Sequence, residues 1–218
     1  MMNRFLAIIM GVLVVGAMIV GIIYLSTYTN ITEEPDFMEK YFSVALYDFD
    51  MSPQLFERMG EELPNSPIIV RVKSDGTRDF EFKSIKQNVE VLEVYRGDEL
   101  TVGDEIAVRM RGGFLVFENM SANVHFVNFM QDGDEYLLFL ERKFESPDPK
   151  EDNHYIFSDL IIPGIFNYED KDHTIIETSQ GDRYVPYKEV KDNEFFVSSE
   201  EVLDELMKLK HDLLKQYP

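Results

Sequence analysis

Four histidines and two groups of closely spaced carboxylates are the residues in this chain whose types could do chemistry. His125, His154, His173 and His211 lie far apart in sequence. None has a His partner at i+4, the spacing that puts two imidazoles on one helical face for a zinc ion. His125 falls in a strand-like stretch and reads as a partly buried structural histidine, and the other three fall in polar loops or on the terminal helix. Asp132, Asp134 and Glu135 form one acidic cluster, and Asp170 and Asp172 a second. Such groups suit Ca²⁺, a hard cation that takes oxygen ligands, yet neither cluster has the spaced loop with its glycine and distal bidentate Glu, so both read as solvated turns. Paired carboxylates for glycoside hydrolysis stay open as a rival, because 41 Asp+Glu guarantee close pairs by chance and only geometry distinguishes a working pair. Gly112-Gly113 reads as a hairpin turn, and no Gly-x-Ser-x-Gly elbow, Walker loop or dinucleotide fingerprint occurs. The sequence therefore assigns no catalytic, cofactor-binding or metal-ligating residue, and no cofactor is expected.

Composition narrows the function further. With no Cys, thiol nucleophiles, zinc ribbons, haem attachment, disulfide scaffolds and lipidation at a cysteine are excluded. The formal charge is 21 − 41 = −20. Binding to a phosphate backbone or an anionic lipid surface rests on clusters of Lys and Arg, so nucleic acid is not an expected partner.

The elements that must position any site begin with a membrane segment. Phe5 to Leu25 is a run of 21 residues without a charge, long enough as a helix to span a hydrocarbon core of about 30 Å. It is too long for the apolar region of a cleaved signal peptide, and Ser26-Thr27-Tyr28-Thr29 is a poor cleavage context, so an uncleaved signal-anchor is expected. Arg4 precedes the run, while Glu33, Glu34 and Asp36 follow it. Positive flanks stay in the cytoplasm, which places the rest of the chain outside the cell membrane as a single-pass protein. Residues 26–218 then hold 20 basic and 41 acidic residues, a charge of −21. Within the helix, Ala7/Gly11 and Ala17/Gly21 are small-xxx-small pairs, a motif that also occurs widely without helix pairing.

Three segments are expected: a cytoplasmic stub and transmembrane anchor over 1–25, a tether and juxtamembrane segment over 26–52, and an extracytoplasmic β domain with flanking helices over 53–218. Ser52-Pro53 starts a helix that ends before Pro64, with Leu55, Phe56 and Met59 on its apolar face. From Ile68 the period becomes two, and Asp75-Gly76 predicts a hairpin leading to Phe80 and Phe82. Further strands are predicted at 89–94, 105–110, 114–117, 124–127 and 135–140, separated by turns at Arg96-Gly97-Asp98, Val102-Gly103-Asp104, Gly112-Gly113 and Asp132-Gly133-Asp134. Tyr155 to Ile162, a Pro163-Gly164 turn, and hairpins around 169–172 and 180–182 carry the β pattern to about Tyr187. Ser198-Ser199-Glu200-Glu201 caps a C-terminal amphipathic helix whose stripe is Val202, Leu206, Leu209 and Leu213.

The run from Pro67 to Arg142 resembles the netrin-like or TIMP-like branch of the OB fold. The elements that carry the likeness are Val91, Val94, Arg96 and Gly97, then Gly103 and Asp104 leading to Ile106 and Val108, then Gly133, Tyr136, Leu137, Leu138 and Phe139. Similar segments, often followed by an element like Gly164-Ile165-Phe166, occur in uncharacterised membrane-anchored extracytoplasmic proteins of Gram-positive bacteria. The resemblance implies a mainly β fold, an OB-like β-barrel between the transmembrane helix and the C-terminal amphipathic helix, with Val91, Val94, Ile106, Val108, Tyr136 and Leu138 facing inward. It brings no activity, and the metal-chelating N-terminal Cys of TIMP-like inhibitors has no counterpart here.

The function expected from the sequence is that of a membrane-anchored extracytoplasmic binding or interaction module, with the membrane as partner through residues 5–25 and a protein as the further partner. A cell-envelope hydrolase using paired carboxylates and a structural subunit of a membrane complex are the alternatives. A deep pocket with convergent carboxylates would favour the enzyme.

Overall fold

Residues 2–27, 32, 34–47, 52–81, 83–116, 120–158, 160–176 and 183–218 are described by the computed structural model of the protein. It divides into two units, Met1–Phe37 and Met38–Pro218.

In the first unit the uncharged run folds as one helix, α1 (Met2–Thr27). Its stretch Ile9–Ser26 has a mean hydropathy of 2.5 and is long and apolar enough to cross a membrane. The backbone of such a helix satisfies its own hydrogen bonds, which lipid cannot do. A single helical turn, α2 (Phe37–Lys40), begins at the last residue of this unit and belongs otherwise to the second.

The second unit is rich in sheet. Its larger sheet contains β2 (Ile68–Ser74), β3 (Asp79–Glu81), β4 (Ser84–Arg96), β5 (Glu105–Arg111), β8 (Glu135–Lys143), β9 (His154–Phe157) and β10 (Ile165–Asn167). β2 is antiparallel to β4 and to β8, β4 is antiparallel to β5, β5 is parallel to β9, and β9 is antiparallel to β8. The pairings therefore leave β2 through β4 and return to it through β8. Register shifts in the β2–β4 ladder, between Ile69 and Val70 and between Arg71 and Val72, give β4 the local bending that lets one long strand serve several neighbours. A smaller sheet runs in the order β11 (Tyr184–Pro186), β1 (Phe42–Ala45), β7 (Ser121–Asn123), β6 (Phe114–Val116).

Both faces of β8 are covered, as its uninterrupted apolar sequence requires: Tyr136, Leu138 and Leu140 are buried on one side, and Leu137 and Phe139 on the other. Val91, Ile106 and Val108 are buried as well, and Val94 is half-buried. The helix after Ser52-Pro53 is α3 (Ser52–Glu62), with Phe56 and Met59 buried and Leu55 half-buried. The C-terminal helix is α4 (Glu200–Gln216), whose first turn is capped by the Ser199 hydroxyl accepting from the Val202 N–H. Its Leu206, Leu209 and Leu213 are buried, and Tyr217 just beyond its end lies edge-on to Phe139 at 5.7 Å.

Three expectations of strand layout are corrected. The Asp75-Gly76 turn exists, with Gly76 at φ +72, but β3 beyond it pairs with the first residues of β4 and not with β2. The reason is the length of β4, 13 residues, whose first part (Ser84, Lys86, Gln87, Asn88) is too polar to signal a strand yet offers β3 an edge in line with β2. The strand expected at 124–127 is instead β7 at Ser121–Asn123; Val127 makes only an isolated bridge to Phe195. Tyr168 to Asp172 forms no hairpin, because the next strand, β11, pairs with β1. Phe42–Ala45, in the juxtamembrane part of the 26–52 segment, is a central strand of the smaller sheet. The expected hairpin at 180–182, together with Glu33, Phe82 and Phe117, lies outside the described residues.

Candidate functional site

A cleft of about 260 Å³ opens where the segment entering β8, the end of β10 and the chain before α4 converge. Gly133, at φ +79, turns the chain into β8. That turn leaves Asp134 at the rim and makes Tyr136 an inward-facing residue of the strand. Asn167 closes β10 directly opposite Tyr136. The third wall is held by the Asn128 N–H, which donates to the Glu194 carbonyl at 2.8 Å.

The cleft is lined by charge already arranged in pairs. Asn167 Nδ2 donates to Asp134 Oδ2 at 2.9 Å, and Lys171 Nζ lies 2.9 Å from the same oxygen. Burial pushes the Asp134 carboxyl up, but the bonds from Lys171 and Asn167 outweigh it and hold the group below the usual carboxylate range. Glu194 is buried and accepts the Asn167 N–H on Oε1 at 2.8 Å and Lys210 Nζ on Oε2 at 2.6 Å. Burial pushes its carboxyl up, and the Lys210 ammonium opposes that rise without cancelling it. Lys210 is wholly buried, and its ammonium also reaches the Glu169 carbonyl at 2.8 Å and Asp170 Oδ1 at 3.1 Å, which uses all three N–H donors. Tyr136 Oη accepts from the Gln131 N–H at 2.9 Å, and burial pushes its hydroxyl up.

The four histidines take separate structural posts. His173 fixes the wall of the cleft: its Nδ1 lies 2.9 Å from the Lys171 carbonyl, and its Nε2 accepts the N–H groups of Glu194 and Phe195, both at 3.1 Å. That pattern demands the neutral ring with its proton on Nδ1, since protonating Nε2 would turn an N–H toward two other N–H groups. His154 Nδ1 accepts from Arg109 Nε at 3.2 Å. His125 packs its ring over Gly113, where any Cβ would come within 1.9 Å of it, which is why a glycine follows Gly112 there. His211 reaches the Asp170 carboxylate at 3.0 Å from the exposed side of α4.

Of the acidic clusters, Asp132, Asp134 and Glu135 are dispersed, not gathered. Asp132 lines a different groove, Asp134 takes Lys171, and Glu135 takes Arg71 at 2.6 Å. Among the described residues no group of three His, Asp or Glu is arranged to hold a metal ion. Sequence reasoning missed Tyr136 as a cleft residue, and it missed Asn167, Glu194 and Lys210 altogether. A signal for Lys210 was present: it stands at i+4 from Leu206 and i−3 from Leu213, within the apolar stripe of α4, where a charged residue needs a buried partner. Compared with known proteins, the chain matches no family model and no curated protein sequence.

Burial lowers the pKa values of His125, His154 and His173 below the ordinary 6.5. Each then binds fewer protons folded than unfolded below about pH 6.5, so folding stability falls as pH drops through that value. The urea midpoint of the full chain in neutral detergent is expected to be lower at pH 5 than at pH 7.5. An unchanged midpoint would contradict this burial of neutral rings.

Proposed function

We propose that the protein is a single-pass, membrane-anchored extracytoplasmic binding module whose working part is an OB-like β-barrel carrying the cleft between β8, β10 and the chain before α4. The barrel reading rests on the strand pairings, in which β2, β4, β5, β9 and β8 return to β2 with the parallel pair at β5–β9. Closing a small sheet on itself leaves few free edges and presents loops at the ends of the barrel for binding. The anchor reading rests on α1 and on the charges that flank its uncharged run, Arg4 before the run against Glu33, Glu34 and Asp36 after it. Kinship with the anchored extracytoplasmic proteins of Gram-positive bacteria belongs to the same proposal, on the motifs quoted for it.

Binding is preferred to catalysis on one observation: the buried carboxylate of the cleft has both oxygens occupied by donors, Asn167 N–H and Lys210 Nζ. A general acid must offer a proton to its substrate within hydrogen-bond reach, and Glu194 is fully engaged elsewhere. The paired-carboxylate hydrolase is the second reading, favoured because Asp134 and Glu194 line one cleft and their acidities are shifted in opposite directions. The experiment that tests the proposal is side-specific labelling of an introduced cysteine on intact cells, with reaction of the β domain from outside as the expected result.

A further inference from the structure

A further groove, of about 590 Å³, lies at the end of the β4–β5 ladder where Ser84 meets Arg111. Ser84 and Arg111 are direct partners across that ladder, and Lys86 and Arg109 are the next pair but one. Cross-strand partners and every second residue share a face, so all four side chains start from the same side of the sheet. Arg109 is buried and held from three directions: Glu81 at 2.6 Å, Glu151 at 2.5 Å and His154. Lys86 pairs with Asp79 at 2.8 Å. Arg111, in contrast, is exposed and has no ion pair or hydrogen bond from its guanidinium among the described residues. Beside it the Ser84 hydroxyl, in a residue only 9% exposed, is buried without a hydrogen-bond partner.

The rim is preset. Lys83 stands at φ +56 and Gly112 at φ +82, and the Gly112 N–H donates to the Lys83 carbonyl at 2.7 Å. A non-glycine residue in the left-handed region is held there against its own preference, a form of strain that collects at binding sites.

We propose that this groove binds a phosphate group, with Arg111 and the Ser84 hydroxyl as its donors and the ion-paired Arg109 as a fixed part of its wall. A guanidinium offers a planar fork that matches phosphate oxygens, and a serine hydroxyl lacking a partner supplies one more donor without breaking an existing bond. The acidic remainder of the domain repels polyanions, so the occupant is a single phosphate, small enough to be held by the one guanidinium of Arg111. Such a group comes either from a soluble phosphate or from a lipid headgroup. The site is separate from the cleft of Asp134 and Glu194, and it stands or falls independently of the function proposed for that cleft.

The test uses the full chain in nanodiscs. In the first arm, phosphatidylcholine discs are titrated with inorganic phosphate against chloride at constant ionic strength, and heat of binding is read. In the second, phosphatidylglycerol replaces part of the lipid without added phosphate, and protection of Arg111 from an arginine-selective reagent is read. Saturable phosphate binding that weakens about tenfold in Arg111→Gln is the expected result for a charge-assisted donor. Ser84→Ala is expected to weaken it less, and because that hydroxyl has no partner the variant keeps its fold. Protection by phosphatidylglycerol alone also supports the site and assigns the phosphate to a headgroup. Neither binding nor protection, or a phosphate affinity unchanged in Arg111→Gln, would overturn the proposal.

Discussion

Replacing Lys210 by Met is expected to lower the unfolding free energy by about 3 to 5 kcal/mol, as when one partner of a buried ion pair is removed. Methionine nearly matches the length of the lysine stem, so the loss is electrostatic and not a cavity. What remains is the Glu194 carboxylate, buried and 2.6 Å from where its ammonium stood, together with a Glu169 carbonyl and an Asp170 carboxylate that lose the same donor. The double variant Lys210→Met/Glu194→Gln is expected to recover part of the loss, because the stranded charge is gone. Urea titrations of the two variants and of Glu194→Gln alone close a double-mutant cycle. Additive losses would mean that the two groups do not act as a pair.

Leu138→Ala is the second large effect, about 2 to 5 kcal/mol, the usual range for emptying a buried leucine site. Leu138 is fully buried and stands opposite Val70 on one neighbouring strand and Ile165 on the other. With strands on both sides and cover on both faces, the surroundings cannot easily collapse into the space. Glu141→Ala on the same strand is exposed and should change stability by no more than about 0.5 kcal/mol. Equal and small shifts of both midpoints would mean that Leu138 is not a core residue.

Much of this architecture was legible because its signals are local. The uncharged run of α1, the capping serine and stripe of α4, and the alternation of β2 and β5 each follow from residues close in sequence. Turn glycines at 76, 97, 103, 112 and 133 were legible for the same reason, and all of them have positive φ. Pairing was harder, because which edge β3 joins depends on the length of β4, and the polar residues that open β4 carry no periodic signal. β1 is four residues long, in a stretch whose mixed aromatic and acidic content assigns no element; it is a strand because β7 and β11 flank it. The cleft was the least legible part. Asp134, Asn167, Glu194 and Lys210 come from four distant segments, and of these only Lys210 breaks a local pattern.

The central claim, a domain displayed outside a membrane on a single helix, is tested most directly by cysteine accessibility, for which a chain without cysteine is already suited. Val102→Cys places one thiol on the β domain at a site 68% exposed, and Asn3→Cys places one just before the uncharged run. An impermeant maleimide is applied to intact cells expressing each full-length variant, then again after the membrane is broken. The account predicts that Val102→Cys reacts in intact cells and that Asn3→Cys reacts only after lysis. Labelling of Asn3→Cys from outside, with Val102→Cys protected until lysis, would contradict it.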